Sequence, residues 1–148
     1  MGRNRGGTYI RVHVKSMKKA KDKLRKLTSR SQGRKLDTVF YNIEVYMRGW
    51  LGYYAIADMK DTMDKWNGWL RRRIRMYIWK QWKLPRTRVE NLKKLGMDSW
   101  KAYRNGNTRK GYWAIAGSGI LNHTITNDRL ARRGYYDISE AYKSMHSM

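Results

Sequence analysis

Two apolar stripes at helical spacing dominate the first half of this chain and leave little choice of fold class. Leu36, Val39, Phe40, Ile43, Tyr46, Met47, Trp50, Leu51 and Tyr54 recur every third or fourth residue, as do Met59, Met63, Trp66, Leu70, Ile74, Tyr77 and Ile78. That period puts each set on one side of an α-helix and predicts two long amphipathic helices. The later one is better marked. Asp58, Asp61 and Asp64 sit at its start, Arg71, Arg72, Arg73, Arg75, Lys80 and Lys83 crowd its far half, and Pro85 ends the run. Acid first and base last complements the helix macrodipole, with Asp58 positioned to cap. Ahead of both, Met17, Ala20, Lys21, Leu24 and Leu27 predict a helix from Lys15 to Thr28, followed by a loop over Ser29 to Lys35. Three helices by residue 84 make a bundle the economical architecture. Gly49 and Gly52 fall inside the Leu36 to Tyr54 stripe. Each costs about 1 kcal/mol against alanine there, so a second helix crossing closely is expected.

The ends read differently. From Thr8 to Val14, Ile10, Val12 and Val14 alternate with Tyr9, Arg11 and His13, the period of a short strand. No second comparable strand follows, so its pairing partner is expected in another chain or another part of a larger protein. Beyond Pro85, Thr87-Arg-Val-Glu90 reads as a capping box opening a short helix that closes at Gly96. Small pieces follow: Asp98 to Tyr103, a turn at Asn105-Gly106-Asn107, Thr108 to Ala116, and a flexible break at Gly117-Ser118-Gly119. Thr126 or Asn127 caps a helix ending at Gly134, and Asp137 opens a last one. The expected organisation is an all-α chain with one short N-terminal strand. Residues 1–14 are a basic arm and strand, 15–84 a three-helix bundle, and 85–148 a smaller helical subdomain.

Charge narrows the function. Among 148 residues, 34 Lys and Arg face 11 Asp and Glu, a formal net of +23. Such a chain repels itself unless a polyanion neutralises it, and nucleic acid is the obvious one. A membrane surface is the competitor, but the charge is spread over several segments with their own apolar stripes rather than held on one interfacial helix. No apolar run approaches the roughly 18 residues of a membrane span, and Met1 to Gly7 lacks a signal peptide's apolar stretch. With no cysteine, disulfides, thiol catalysis and thiolate zinc sites are excluded. A soluble, intracellular protein without a membrane partner is expected.

Two basic blocks stand out, each with a net charge of +9: residues 15–35 and residues 69–94. The first, which includes Lys18 and Lys19, is either a solvated face or a contact surface. The second interleaves Tyr77, Trp79 and Trp82 with its cations, the combination that stacks unpaired bases and grips phosphates. Most of those rings belong in a core, and one of Trp79 and Trp82 is expected outside. Asn107-Thr-Arg-Lys-Gly-Tyr-Trp113 repeats the combination at a helix entry, where Thr108, Arg109 and Lys110 can seat a phosphate. Equally, Thr108 can cap while Tyr112 and Trp113 pack, and both readings can hold together.

Catalytic constellations are poor. His13, His123 and His146 lie far apart and form no metal-binding pattern, and no phosphate-cradling G-x-x-x-x-G-K-[ST] occurs. An Arg132, His123 and Tyr135 phosphoryl-transfer group can be drawn, as in any basic chain of this size. No catalytic residue and no bound metal are expected.

Several longer strings carry a resemblance: Tyr46-Met-Arg-Gly-Trp-Leu-Gly-Tyr-Tyr54, Trp66 to Arg75 ending Leu-Arg-Arg-Arg-Ile-Arg, Trp79-Lys-Gln-Trp-Lys-Leu-Pro-Arg-Thr-Arg88, Asn107-Thr-Arg-Lys-Gly-Tyr-Trp-Ala-Ile-Ala116, and Leu130 to Tyr135. In this order, from about Ile10 to Tyr142, they resemble the maturase-specific region (thumb, or X domain) of group II intron-encoded reverse transcriptases. The resemblance implies a mainly helical thumb that binds intron RNA, assists its folding and splicing, and holds a template–primer duplex. It implies RNA contacts for Arg71, Arg72, Arg73, Arg75, Lys80, Lys83, Arg86 and Arg88, and for Arg109 and Lys110. Trp82, Thr108, Lys18 and Lys19 complete the candidate RNA-binding set, and Arg48-Gly49-Trp50 is read as packing.

The family's polymerase chemistry needs a Y-x-D-D pair of palm aspartates holding two metals, and this sequence has no such string. The chain is therefore expected to be a fragment or a stand-alone maturase module, not an enzyme by itself, with its strand at a palm–thumb junction. It needs no cofactor of its own; Mg²⁺ is expected only with the RNA. Its partners are intron RNA or an RNA/DNA template–primer duplex and, beyond these, a palm-bearing chain. Its location is cytoplasmic of bacterial type, or organellar. Charge reversal of Arg71, Arg72 and Arg75 together should weaken RNA binding and leave helicity intact. The rivals are a phosphodiester-cleaving or recombinase-like enzyme and a general nucleic-acid packaging protein.

Overall fold

A computed structural model describes residues 11–147, and among these every regular element is an α-helix. In chain order they are α1 (Val14–Leu27), α2 (Leu36–Tyr54), α3 (Lys60–Trp82), α4 (Pro85–Lys94), α5 (Ser99–Gly106), α6 (Tyr112–Ala116), α7 (Gly119–Thr124), α8 (Asn127–Arg133) and α9 (Ile138–His146). Of the strand expected over Thr8 to Val14, the part up to Ile10 lies outside the described residues. Arg11 to His13 are irregular, and Val14 already belongs to α1. His13 explains the switch: its Nδ1 accepts the Lys15 N–H at 3.0 Å and caps α1.

Two compact units divide the described chain. One holds the residues up to Thr28, Arg34–Leu70 and the residues from Gly134 onward; the other holds Ser29–Gly33 and Arg71–Arg133. The break falls inside α3 rather than at residues 84 to 87. Pro85 and its neighbours interrupt the helix there, but the two halves of α3 bury their side chains in different cores.

In the first unit, α1 contributes Ala20 and Leu24, α2 contributes Val39, Phe40, Ile43, Met47, Trp50 and Leu51, and the start of α3 contributes Met63, Trp66 and Leu70, all buried. Both α1 and α9 pack on α2. Helix α9 makes this a unit of four helical segments instead of the expected three. Its return is fixed by polar ties as well as apolar ones. Tyr142 donates its hydroxyl to the Ala57 carbonyl at 2.7 Å and accepts the Met59 N–H at 3.0 Å. Tyr135 donates to Asn67 Oδ1 at 2.6 Å, and Asp137 both caps α9 and accepts from Asn67 Nδ2 at 2.9 Å. These bonds satisfy buried groups of α3 and its approach, which would otherwise cost about 1–3 kcal/mol each.

In the second unit α4 and α5 form a close helical hairpin, with Leu92 and Ala102 buried in its core. Pro85 occupies the first turn of α4, where its missing N–H costs nothing, so the helix opens two residues before the expected Thr87 cap. Lys83, at φ 57°, turns the chain between α3 and α4, and Gly96, at φ 102°, ends α4. Thr126 caps α8 by accepting the Arg129 N–H at 3.1 Å.

Glycine positions separate open from closed surfaces. Gly49 and Gly52 are exposed, with nothing within 4 Å of an added Cβ, so no helix crosses there in the described structure. Gly106 is the reverse: a Cβ would lie 2.6 Å from Val89 Cγ2 and 2.9 Å from Val89 N. Gly49→Ala and Gly52→Ala are each expected to stabilise the chain by about 1 kcal/mol. Gly106→Ala is expected to destabilise it by about 1–3 kcal/mol, because α4 and α5 must separate. Urea midpoints at constant slope check all three.

Candidate nucleic-acid interface

In the second unit, the basic block around Trp79 and the string ending at Trp113 meet at one ring. The guanidinium of Arg30 lies 4.5 Å from the Tyr112 centroid, Lys80 Nζ 5.3 Å and the Arg88 guanidinium 5.6 Å. Arg88 also lies over Trp79 at 4.7 Å, and Trp79 packs on Trp82 at 5.8 Å. Each cation–ring contact is worth about 0.5–1 kcal/mol near the surface, and together they fix the ring among positive charges. The hydrogen bond from Arg88, followed by the charge of Lys80, holds the Tyr112 phenol below the ordinary tyrosine range. Tyr112 should therefore be among the first tyrosines to ionise as pH rises. Because its pKa is lowered by folding, its contribution to stability grows as pH rises through the lowered value, is complete above the ordinary tyrosine range and is absent at neutral pH. Absorbance at 295 nm should lose its earliest component in Tyr112→Phe; an unchanged titration would contradict the cluster.

The arginines expected at the surface divide into two groups. Arg75 is only 5% exposed; its Nε donates to the Ile125 carbonyl at 2.7 Å and its Nη2 to Asn127 Oδ1 at 2.7 Å. Arg88, 9% exposed, donates from Nε and Nη2 to the Trp79 carbonyl at 3.2 and 3.1 Å. Neither is open to a phosphate, contrary to expectation. Arg72 donates to the Trp113 carbonyl at 3.1 and 2.7 Å and lies 3.8 Å from the Trp113 ring. Gly117 makes room for it, since a Cβ would come within 2.5 Å of Arg72 Cζ. Gly117, at the head of the expected break, thus makes space for a guanidinium. Arg71 and Arg73 are half-buried.

What stays outside is a different set. Lys83, Arg86, Arg109 and Lys110 are exposed, Lys80 and Trp82 are half-buried, and Trp79 is fully buried, so Trp82 is the outer ring of that pair. Along the chain these cations flank Lys80, Arg88 and Tyr112. Arg86 is informative. It stands in the first turn of α4, which carries no acid, so its charge opposes the helix dipole. A cation kept at that end has no gain in helix stability to account for it. Thr108 is half-buried and accepts the Lys110 N–H at 3.2 Å, but the helix begins only at Tyr112. Thr108 to Lys110 are therefore a loop, not the helix N-terminus expected to seat a phosphate.

The first unit carries its own cationic surface. Lys15, Lys18, Lys19, Lys23 and Lys26 of α1, with Tyr46 of α2, line an open groove of about 640 Å³. Asp22 is the acid within it; hydrogen bonding to Lys18 at 3.0 Å, and then the charges of Lys18 and Arg25, hold its carboxyl below the usual range. On the same helix, Lys21 Nζ lies 4.9 Å and the Arg25 guanidinium 5.4 Å from the Trp69 ring. Lys18 and Lys19 are thus brought together, with Lys15, Lys23 and Lys26 lining the same groove.

A family model described as "Group II intron, maturase-specific domain" matches residues 17–96, just over half the chain. The chain belongs to the group II intron maturase-specific domain family. A search of curated proteins finds no match. The family match runs from Met17 in α1 to Gly96 and so includes the α1 groove apart from Lys15, both halves of α3, and Lys83, Arg86 and Arg88; Arg109, Lys110 and Tyr112 lie beyond it. Among the described residues of this maturase-family chain no three His, Asp or Glu side chains cluster as a metal site requires, and no helix is long and apolar enough to cross a membrane. Of the phosphoryl-transfer group drawn from the sequence, Tyr135 is buried on Asn67, and Arg132 pairs with Asp128 at 2.7 Å.

Proposed function

We propose that this maturase-family chain binds structured group II intron RNA and favours its splicing-competent fold. It would also serve as the thumb that holds a template–primer duplex when a reverse transcriptase palm is supplied. The observation that carries the reading is the exposed set Lys83, Arg86, Arg109 and Lys110, which flank the residues of the Tyr112 cluster along the sequence, in a chain with a net charge of +23. Phosphates release counterions on meeting such side chains, and Trp82 offers a partly exposed ring for stacking. The α1 groove, with Lys18 and Lys19, supplies a second set of phosphate contacts. Binding the native RNA fold better than misfolded forms shifts the population toward it, so the chain acts without a reaction of its own. Mg²⁺ belongs to the RNA. A palm-bearing chain is the protein partner this reading implies, and a bacterial-type cytoplasm or an organelle is the compartment.

Competition binding tests this. Labelled group II intron RNA should be displaced far less readily by unrelated structured RNA than by unlabelled intron RNA. Equal displacement by arbitrary duplex DNA would favour the packaging alternative and overturn the maturase reading. With template, primer and Mg²⁺ the chain should extend nothing.

A further inference from the structure

Helix α5 keeps two large rings in solvent. Trp100 is 61% exposed and Tyr103 68%, while Ala102 and Gly106 of the same helix are buried. Spaced three residues apart, the two rings share a helix face. Cations accompany them: Lys101 Nζ lies 5.6 Å and the Arg104 guanidinium 5.3 Å from the Trp100 centroid. Such rings usually contribute to a core, where each is worth about 1.5–3 kcal/mol. Exposed together, they form an apolar surface in need of an occupant.

Charge identifies the occupant. From residue 93 to 110 the chain carries six Lys or Arg and the single acid Asp98. A protein partner's apolar helix would gain little from that field, and a basic one would be repelled. A polyanion with flat apolar faces matches both features. We propose that Trp100 and Tyr103 form a stacking platform for unpaired bases of a polynucleotide strand, with Lys101 and Arg104 gripping its phosphates. The platform rests on the nucleic-acid reading above but lies outside the residues matched by the family, and it adds a ligand class: single-stranded nucleotides rather than duplex. An unpaired RNA loop and single-stranded DNA share this chemistry.

The full chain should be titrated with a single-stranded RNA of about 12 nucleotides, the same sequence as DNA, and a blunt RNA duplex. Trp100→Ala and Tyr103→Ala are each expected to weaken single-strand binding about 5- to 100-fold, with duplex affinity held within about twofold. Trp100→Phe keeps a stacking face and should stay within about threefold of the parent. Arg104→Gln should lower the single-strand salt slope by about 0.7. A loss in either sugar series supports the platform, and the larger loss names its source. Unchanged single-strand affinity in Trp100→Ala overturns it, as does an equal loss on single strand and duplex. If intron RNA and duplex still bind with strong salt dependence, that failure is the platform's alone. If the parent chain binds neither, both readings fall.

Discussion

Arg75→Met is expected to destabilise the chain by about 2–4 kcal/mol in urea, an effect on the fold before any effect on RNA. Arg75 is buried, with its guanidinium spanning the Ile125 carbonyl and Asn127 Oδ1, both at 2.7 Å. A hydrogen bond from a charged donor contributes about 1.5–3 kcal/mol, and methionine leaves both acceptors without one. Its own packing recovers part of the loss. Arg75→Lys should rescue little, because a point charge cannot reproduce the planar fork that reaches two acceptors. Charge reversal of Arg71, Arg72 and Arg75 together will therefore lower helicity and stability, contrary to what the basic run alone suggests. A urea midpoint in Arg75→Met equal to the parent's would contradict the anchoring role.

Removing the exposed cations should do the opposite. In Lys83→Gly, Arg86→Gln, Arg109→Gln and Lys110→Gln combined, affinity for intron RNA at 0.15 M salt should fall roughly 100- to 1,000-fold, and the salt slope should become shallower by about 3. Stability should hold or rise. Glycine relieves the positive φ at Lys83, and loss of the Arg86 charge removes a cation from the positive end of α4. Isothermal titration and thermal unfolding on the same samples separate the two effects. Full affinity in the combined variant would move the contact surface elsewhere.

The helices were legible because their apolar residues recur at 3.6-residue spacing. The α1 to α3 stripes fall as expected, and Gly96, Gly134 and Asp137 mark helix ends as their chemistry requires. Periodicity gives the face of a helix and not its partner, so nothing in Ile138 to His146 indicates that α9 joins the unit built by α1 and α2. Gly49 and Gly52 lie on the side of α2 opposite its apolar stripe, so the spacing itself placed them on the open face, and the expected helix crossing misread what their cost implied. The basic run misled differently. Met76, Tyr77, Ile78 and Trp79 are four successive apolar residues covering the whole circumference of α3, and all are buried. A helix apolar all round lies inside, so an arginine next to that stretch is more apt to serve the core than the solvent. That signal was present beside Arg75 and outweighs the charge count. The clustering of Arg30, Lys80 and Arg88 on Tyr112 depends on long-range folding that no local pattern encodes.

The dependence of intron RNA affinity on salt is the measurement closest to the central claim, that exposed cations hold the phosphate backbone while buried arginines hold the fold. With about six phosphates neutralised at roughly 0.7 counterions each, the logarithm of the association constant should fall against the logarithm of salt with a slope near −4. A slope near zero would contradict it.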